Sequence, residues 1–389
     1  MIKITHTKHD DTTDVLKTAA TVAEYFGFSP IGTISQNVEG TKVSQEAIEH
    51  VHSHERFFLP SVKIFSERAR HLRNNHALTY EVHMKAASKK NPVAFTLHVA
   101  GVRRAIAEAT LIATAQTILK EIGIEKTIVK MSSYGNTDSS NRYNRDLSQF
   151  LRKILGTATT QSITRDIQES PRKIFARFVI EKHPNAKQAP NPLDYLNDDA
   201  RVHLAEVLEY LETTNIEYEL DNRVVGSDHV FDQTVFEIHQ VHEDGTTNPV
   251  AHGGRMNVLS RKAFRQHVDS TGIVITCETK GKLPKTISAQ PQKKHSKMRF
   301  YFAHISNEAK RLTLTVLRSL YDARVPIGHI LTQDTLTDQM VHAKDATHLV
   351  IIGHKEAVDR TVIVREVATR VQKVMPISQL ASYLKKIRE

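Results

Sequence analysis

One stretch, TKGKLPKTISAQPQKKHSK at residues 279–297, sets the terms for everything around it. It is built from Lys, Pro, Gln and Ser with almost no large apolar side chain, so it has nothing to bury and reads as an exposed linker. Whatever folds on either side of it must therefore complete its own core. At 389 residues and 40% hydrophobic content the chain is long enough to do so two or three times. Charge divides at the same point. From Lys280 onward there are twenty Lys or Arg against nine Asp or Glu, while residues 1–279 carry thirty-three against thirty-four. A neutral body followed by a basic segment is an electrostatic footprint for nucleic acid, because each phosphate neutralised releases counterions; a solvated basic surface is the plainer alternative.

Downstream of the linker, MRFYFAHIS, VPIGHILTQ, THLVIIGHKEA and RTVIVREVAT read as strands, and NEAKRLTLTVLRSLYDAR, LTDQMVHAKDA and SQLASYLKKIRE as helices. That alternation predicts a compact α/β domain with a mainly parallel sheet. Upstream, helices at residues 12–28, 105–123 and 190–215 alternate with widely spaced strands, among them TIVKMSS and IEYELDNRVV, which predicts an α+β body. The polar turn YGNTDSSN supplies Ser and Asn suited to cap a following helix. GSDHVFDQTVFEIHQ (226–240) alternates like a strand and HGGRMNVLSRK (252–262) brings a Gly-Gly-Arg turn close behind it, suggesting a site built across two strands.

Several chemistries find little support. The single cysteine, Cys277 in GIVITCE, excludes an internal disulfide framework and a Cys-based zinc site, and reads as a buried hydrophobe. His50, His52 and His54 could share a strand face around a metal, but no paired carboxylates accompany them, and no metal site is expected. Glu237 and Glu278 lack any pattern for acid/base work, and IIGHKE is a strand end rather than a phosphate-cradling loop. MIKITHTKHDDTTD is polar where a signal peptide would be apolar, and no 18-residue apolar run occurs, so a cytoplasmic protein without membrane contact is expected.

Five segments in collinear order carry a resemblance. AEATLIATAQTILKEIGIEKTIVKMSSYGNTDSSNRYNRDLSQFL, LDYLNDDARVHLAEVLEYLETTNIEYEL, TVFEI, HGGRMNVL and the basic α/β stretch resemble, in that order, the corresponding parts of histidyl-tRNA synthetases. The resemblance implies a class II synthetase-like body, an antiparallel sheet with helices, at residues 1–279, then the basic linker 280–297. An anticodon-binding-like α/β domain with a mixed, mostly parallel sheet would follow at 298–389.

The same resemblance implies a site and shows it altered. The family activates its amino acid on ATP with arginines that neutralise developing charge. Here His83 and Phe95 align with the two motif 2 arginines, Val225 with the arginine of the first histidine motif and Thr279 with that of motif 3. Lys85, Lys89 and Lys90 lie nearby, but an ammonium does not reproduce a guanidinium fork. Ser61, Val99 and Arg103 align with the polar ligands of the substrate, Arg103 as a charge reversal, and Ile34 aligns with motif 1's proline. Pro60, Gly101, Gly226, Asp228, Glu237, Gly253, Gly254 and Arg255 remain; Gly is expected as a turn former, Glu237 with Arg255 as a cross-strand ion pair, and Asp228 as a possible ligand contact.

The reading that follows is a synthetase-like pseudoenzyme that binds tRNA or another structured RNA, as a homodimer or with a protein partner. Lys293, Lys294, Lys297 and Arg299 are its first candidates for phosphate contacts. No cofactor is expected. Two alternatives stay open: a regulatory subunit of a metabolic enzyme such as ATP phosphoribosyltransferase, and an active histidine-tRNA ligase with divergent motifs, which alone would require ATP and magnesium.

Overall fold

A computed structural model describes residues 2–3, 12–31, 55–72, 76–84, 91–156, 160–279, 299–333 and 335–388. Its body is a nine-stranded sheet: β1 Ile2–Lys3, β2 Ser29–Pro30, β3 Ala77–Met84, β4 Asn91–Ala100, β5 Thr127–Ser133, β6 Tyr218–Leu220, β7 Asp232–Val241, β8 Thr247–Arg255 and β9 Ser270–Thr279. The order is β2-β3-β4-β9-β8-β7-β5-β6, with β1 beside the end of β9. The five central ladders, β3/β4, β4/β9, β9/β8, β8/β7 and β7/β5, are antiparallel; the short strands β1, β2 and β6 join in parallel.

The helices decide what each face of this sheet does. On one side lie α1 Thr12–Tyr25, α3 Ile106–Glu121 and α7 Asp198–Thr213. Helix α3 is apolar on nearly every side, and it is buried accordingly between the sheet and its neighbours. The other side carries the turn Glu55–Phe58, α2 Leu59–Glu67, α4 Thr137–Leu155, α5 Gln161–Glu169, α6 Pro171–Ile180 and α8 Asn257–Phe264. These enclose a second core around Phe58, Phe175, Phe231 and Val274. Asn136 caps α4, its side chain accepting from the Ser139 N–H at 2.9 Å, so the expected turn supplies the cap, but the helix starts at Thr137, within that turn, and not at Arg142.

The second domain has β10 Phe300–His304, β11 His348–Ile352, β12 Thr361–Glu366 and β13 Gln372–Pro376, with α9 Asn307–Asp322, α10 Leu336–His342, α11 His354–Asp359 and α12 Ile377–Arg388. Its sheet is mixed, as expected, but its parallel share is smaller: β10/β11 is parallel while β11/β12 and β12/β13 are antiparallel. Two causes account for the difference. VPIGHILTQ contributes a single bridge, Tyr301 to Gly328, since Pro326 has no N–H to offer a ladder. The hairpin to β13 has no Gly, Asn or Asp in its turn, and Arg370 takes the left-handed conformation instead, at φ 61°.

Helix α9 docks this domain on the body. Tyr25 donates its hydroxyl to the Val325 carbonyl at 2.9 Å and meets Tyr321 edge-on at 5.0 Å. Arg318 donates to the Thr214 carbonyl at 2.9 Å, and Arg311 pairs with Glu209 at 2.7 Å. Segment 280–297, and with it the expected linker, lies outside the described residues. No helix among the described residues is long and apolar enough to cross a membrane.

Candidate functional site

Side chains alternate along a strand, so the sheet sorts its residues between two environments. Glu81 and His83 on β3, Thr96 and His98 on β4, Gly272 on β9, His252 and Gly254 on β8, and Glu237 on β7 share the face beneath α2 and α8, as the pairing and contacts among them show. Phe95 and Val99 point the other way, into the core under α3, where Phe95 stacks on Tyr80 at 5.4 Å. The alignment of Phe95 and Val99 with ligand-binding positions is therefore corrected: they cannot line one pocket with His83. Ala94, Thr96 and His98 occupy the face in question.

Two phenyl rings fill the space above the glycines. Phe58 and Phe231 are fully buried, 5.9 Å apart and edge to face. A Cβ on Gly272 would meet Met256 Cε at 2.7 Å, His98 Nδ1 at 3.0 Å and Phe58 Cε1 at 3.2 Å. One on Gly254 would meet the Thr234 carbonyl at 2.5 Å and Phe231 Cδ1 at 2.8 Å. Gly253 is equally confined, 2.4 Å from the Gly272 carbonyl. The expected Gly-Gly-Arg turn is thus the C-terminal end of strand β8, and its glycines serve close packing of backbone against backbone and ring.

The electrostatics of this face differ from those of a phosphate site. Burial pushes His83 down to about 4 and His98 down to about 3, so both are neutral near pH 7. Neither ring nitrogen of His98 has a hydrogen-bond partner among the described residues. Ser61 is buried and donates to Glu81 at 3.2 Å, whose carboxyl is raised by burial. Glu81, His83, Thr96 and His98 thus present no guanidinium or ammonium, and they do not fit ATP with magnesium. Lys85, Lys89, Lys90, Ile34 and the His50–His52–His54 run lie outside the described residues, and among those described no group of His, Cys, Asp or Glu is placed to hold a metal.

A buried imidazolium links the centre of this face to its rim. His252 stands between Glu55 (Nε2 to Oε1 3.8 Å) and Glu237 (Nδ1 to Oε1 3.5 Å), and Glu237 holds His239 at 2.7 Å. Burial opposes charge on His252, but the two carboxylates outweigh it and raise the group to about 9. Burial likewise opposes Glu237's charge, and the imidazoles outweigh it, holding the carboxyl at about 2. His252 therefore adds stability that is complete below its ordinary 6.5 and disappears as pH rises through about 9. Glu237 adds stability present above the ordinary carboxylate range and lost as pH falls toward 2. Urea midpoints are expected to decline on the alkaline side between 6.5 and about 9, and H252Q should flatten that limb; an unchanged slope in the variant would contradict the assignment.

The other positions are engaged in contacts within the fold or lie away from this face. Glu237 does not pair with Arg255, as had been expected, because the two project to different faces. Arg255 instead holds Glu108 with Nε at 2.9 Å and Nη2 at 2.7 Å, both residues fully buried. Asp228 is buried against Arg172, Nε to Oδ1 3.0 Å, and accepts from Asn144 at 2.8 Å; Arg172 lies 3.5 Å over the Tyr134 ring and also reaches Ser140. Val225 packs in the second core, beside Gly226, whose N–H donates to the Tyr134 hydroxyl at 3.2 Å. Arg103 is exposed in the loop beyond β4, past Gly101, so no charge reversal enters a pocket, and Thr279 ends β9 opposite Asn91. Pro60 begins α2.

Of the phosphate candidates, Lys293, Lys294 and Lys297 lie outside the described residues. Arg299 is spoken for: it donates to the carbonyls of Arg388 at 2.7 Å and Ile387 at 3.2 Å, capping the end of α12. Sequence reasoning passed over Phe58, Phe231, Glu55, His98 and His252. The HxGG spacing and the alternation of Thr96 and His98 were the only local signs of them.

With this geometry in place, likeness to known proteins can be weighed. No family model matches the chain. The histidine–tRNA ligase of Caldanaerobacter subterraneus subsp. tengcongensis is 26% identical over 304 residues, covering 75% of this chain and 70% of that protein. That of Acholeplasma laidlawii is 24% identical over 312 residues, again 75% and 70%. Apo histidyl-tRNA synthetase from S. aureus superposes with a TM-score of 0.50 at 16% identity, covering 99% of this chain and 100% of that one, which supports the fold. In sheet order, in its collinear motifs and over most of its length, the chain is similar to histidyl-tRNA synthetases.

Proposed function

We propose that the chain is a member of this family that has given up amino-acid activation and binds tRNA or another structured RNA. The observation that carries the first half is the pair of rings, Phe58 and Phe231, packed on Gly272 and Gly254 where a substrate would need room. Neutral His83 and His98 beside them add no charge that could stabilise a transferring phosphate. The second half is supported by the second domain. Lys355, Arg360, Arg370, Lys385 and Lys386 are exposed there, with no carboxylate in ion-pair range among the described residues.

Histidine-dependent exchange of pyrophosphate into ATP is expected to stay at background. The same preparation should bind tRNA, with log K falling linearly in log salt by roughly 0.7–0.9 per phosphate contacted. Exchange above background would establish the active-ligase alternative. Histidine binding by calorimetry without exchange would favour the regulatory-subunit alternative, and tRNA binding that is absent at low salt would remove the RNA reading.

A further inference from the structure

A cavity of about 360 Å³ lies at the joint between the body and the second domain. Arg68, Leu72 and Ser29 line it from the body, and His329, Thr332 and His342 from the second domain, with no Asp or Glu in its lining among the described residues. The Arg68 side chain has no ion pair or hydrogen bond among the described residues. Thr332 is 3% exposed, yet its hydroxyl has no partner among them. His329 donates from Nε2 to the Tyr25 carbonyl at 3.0 Å, which makes Nδ1 a lone-pair acceptor, also buried and unpartnered. Burial pushes this imidazole down to about 4, so it stays in that neutral form.

An unpartnered hydroxyl and an unpartnered ring nitrogen beside an unpaired guanidinium are unfavourable unless something completes them. The three groups ask for complementary features: anionic oxygens for Arg68, an acceptor for Thr332 and a hydroxyl donor for His329 Nδ1. We propose that this cavity binds a small hydroxylated anion, with a phosphate or carboxylate head on Arg68 and Thr332 and a neighbouring hydroxyl on His329. Because its walls come from both domains, such a ligand would tie the second domain to the body. The site is independent of the proposed RNA role.

The test is thermal unfolding of the full chain with glycerol 3-phosphate or lactate, at ionic strength held constant with potassium chloride. A saturable rise in Tm is expected for the wild type, since a ligand bound to the native state alone stabilises it by mass action. R68M is expected to weaken the response about tenfold, the usual scale for losing a charge-assisted hydrogen bond. T332V should weaken it several-fold while the unliganded protein melts no lower than wild type, since the lost hydroxyl made no bond. A stronger response to glycerol 3-phosphate assigns a phosphate head and a stronger one to lactate a carboxylate. Equal responses in all three proteins, or none from either probe, would overturn the proposal.

Discussion

F231A is expected to unfold about 3–5 kcal/mol more easily than the parent chain, and F58A by a similar amount. Each ring is fully buried, and each sits on a glycine whose missing side chain leaves a recess that nothing else fills. Truncation removes apolar area from the core and leaves a cavity, and the antiparallel strands beneath are too rigidly paired to collapse into it. The two rings touch, so the double variant should lose less than the sum of the single losses. Urea unfolding at an unchanged m-value measures this directly. A loss below about 1 kcal/mol for F231A would mean that the ring is not packed as described. None of these variants is expected to gain pyrophosphate exchange, because clearing space supplies no positive charge next to His83 and His98.

The second large effect lies on the opposite face. Glu108 and Arg255 are both fully buried and joined by two hydrogen bonds, and Glu108 also accepts from Thr234 at 2.8 Å and meets His203 at 2.9 Å. Removing one member of such a pair strands a charge away from water, so R255M is expected to cost about 3–5 kcal/mol. That is a large part of a typical total of roughly 5–15 kcal/mol. The double variant R255M/E108L should recover most of the loss, because well-packed apolar residues replace a buried pair at little net cost. Burial alone would raise the Glu108 carboxyl, but Arg255 and His203 outweigh it and hold the group well below the ordinary carboxylate range. Its stabilisation is therefore present above about pH 4.5 and is lost only in strong acid. A double variant as unstable as R255M would show that shape, not charge, is what the pair provides.

How much of this was legible beforehand depended on whether the deciding signal was local. TIVKMSS became β5 residue for residue, and the helix read at 105–123 runs as α3 over Ile106–Glu121. The body's antiparallel sheet followed from collinear motifs. The orientation of β4 did not, although PVAFTLHV alternates Val93, Phe95, Leu97 and Val99 with Ala94, Thr96 and His98, because both faces are buried and a period of two does not say what covers each. The pairing with β3 and β9 and the contacts of each face show that Thr96 and His98 lie on the side of Glu81 and His83, and Phe95 and Val99 on the side of α3. Arg255 was assigned to Glu237, a nearby acid on the adjoining strand, when its partner lies 147 residues away. The β12–β13 hairpin was missed because its turn is built from residues that seldom signal one.

Gly253, Gly254 and Arg255 bear on how divergence is read in any relative of this chain. A comparison that scores those three residues as substrate contacts would take their retention as a sign of surviving activity. Here the glycines answer to steric exclusion by a neighbouring carbonyl and a phenyl ring, and the arginine to a carboxylate on a distant helix. Selection for folding alone is sufficient to preserve the triplet. In a lineage that loses its activity, the change should therefore first become visible at the positions around the triplet and not within it.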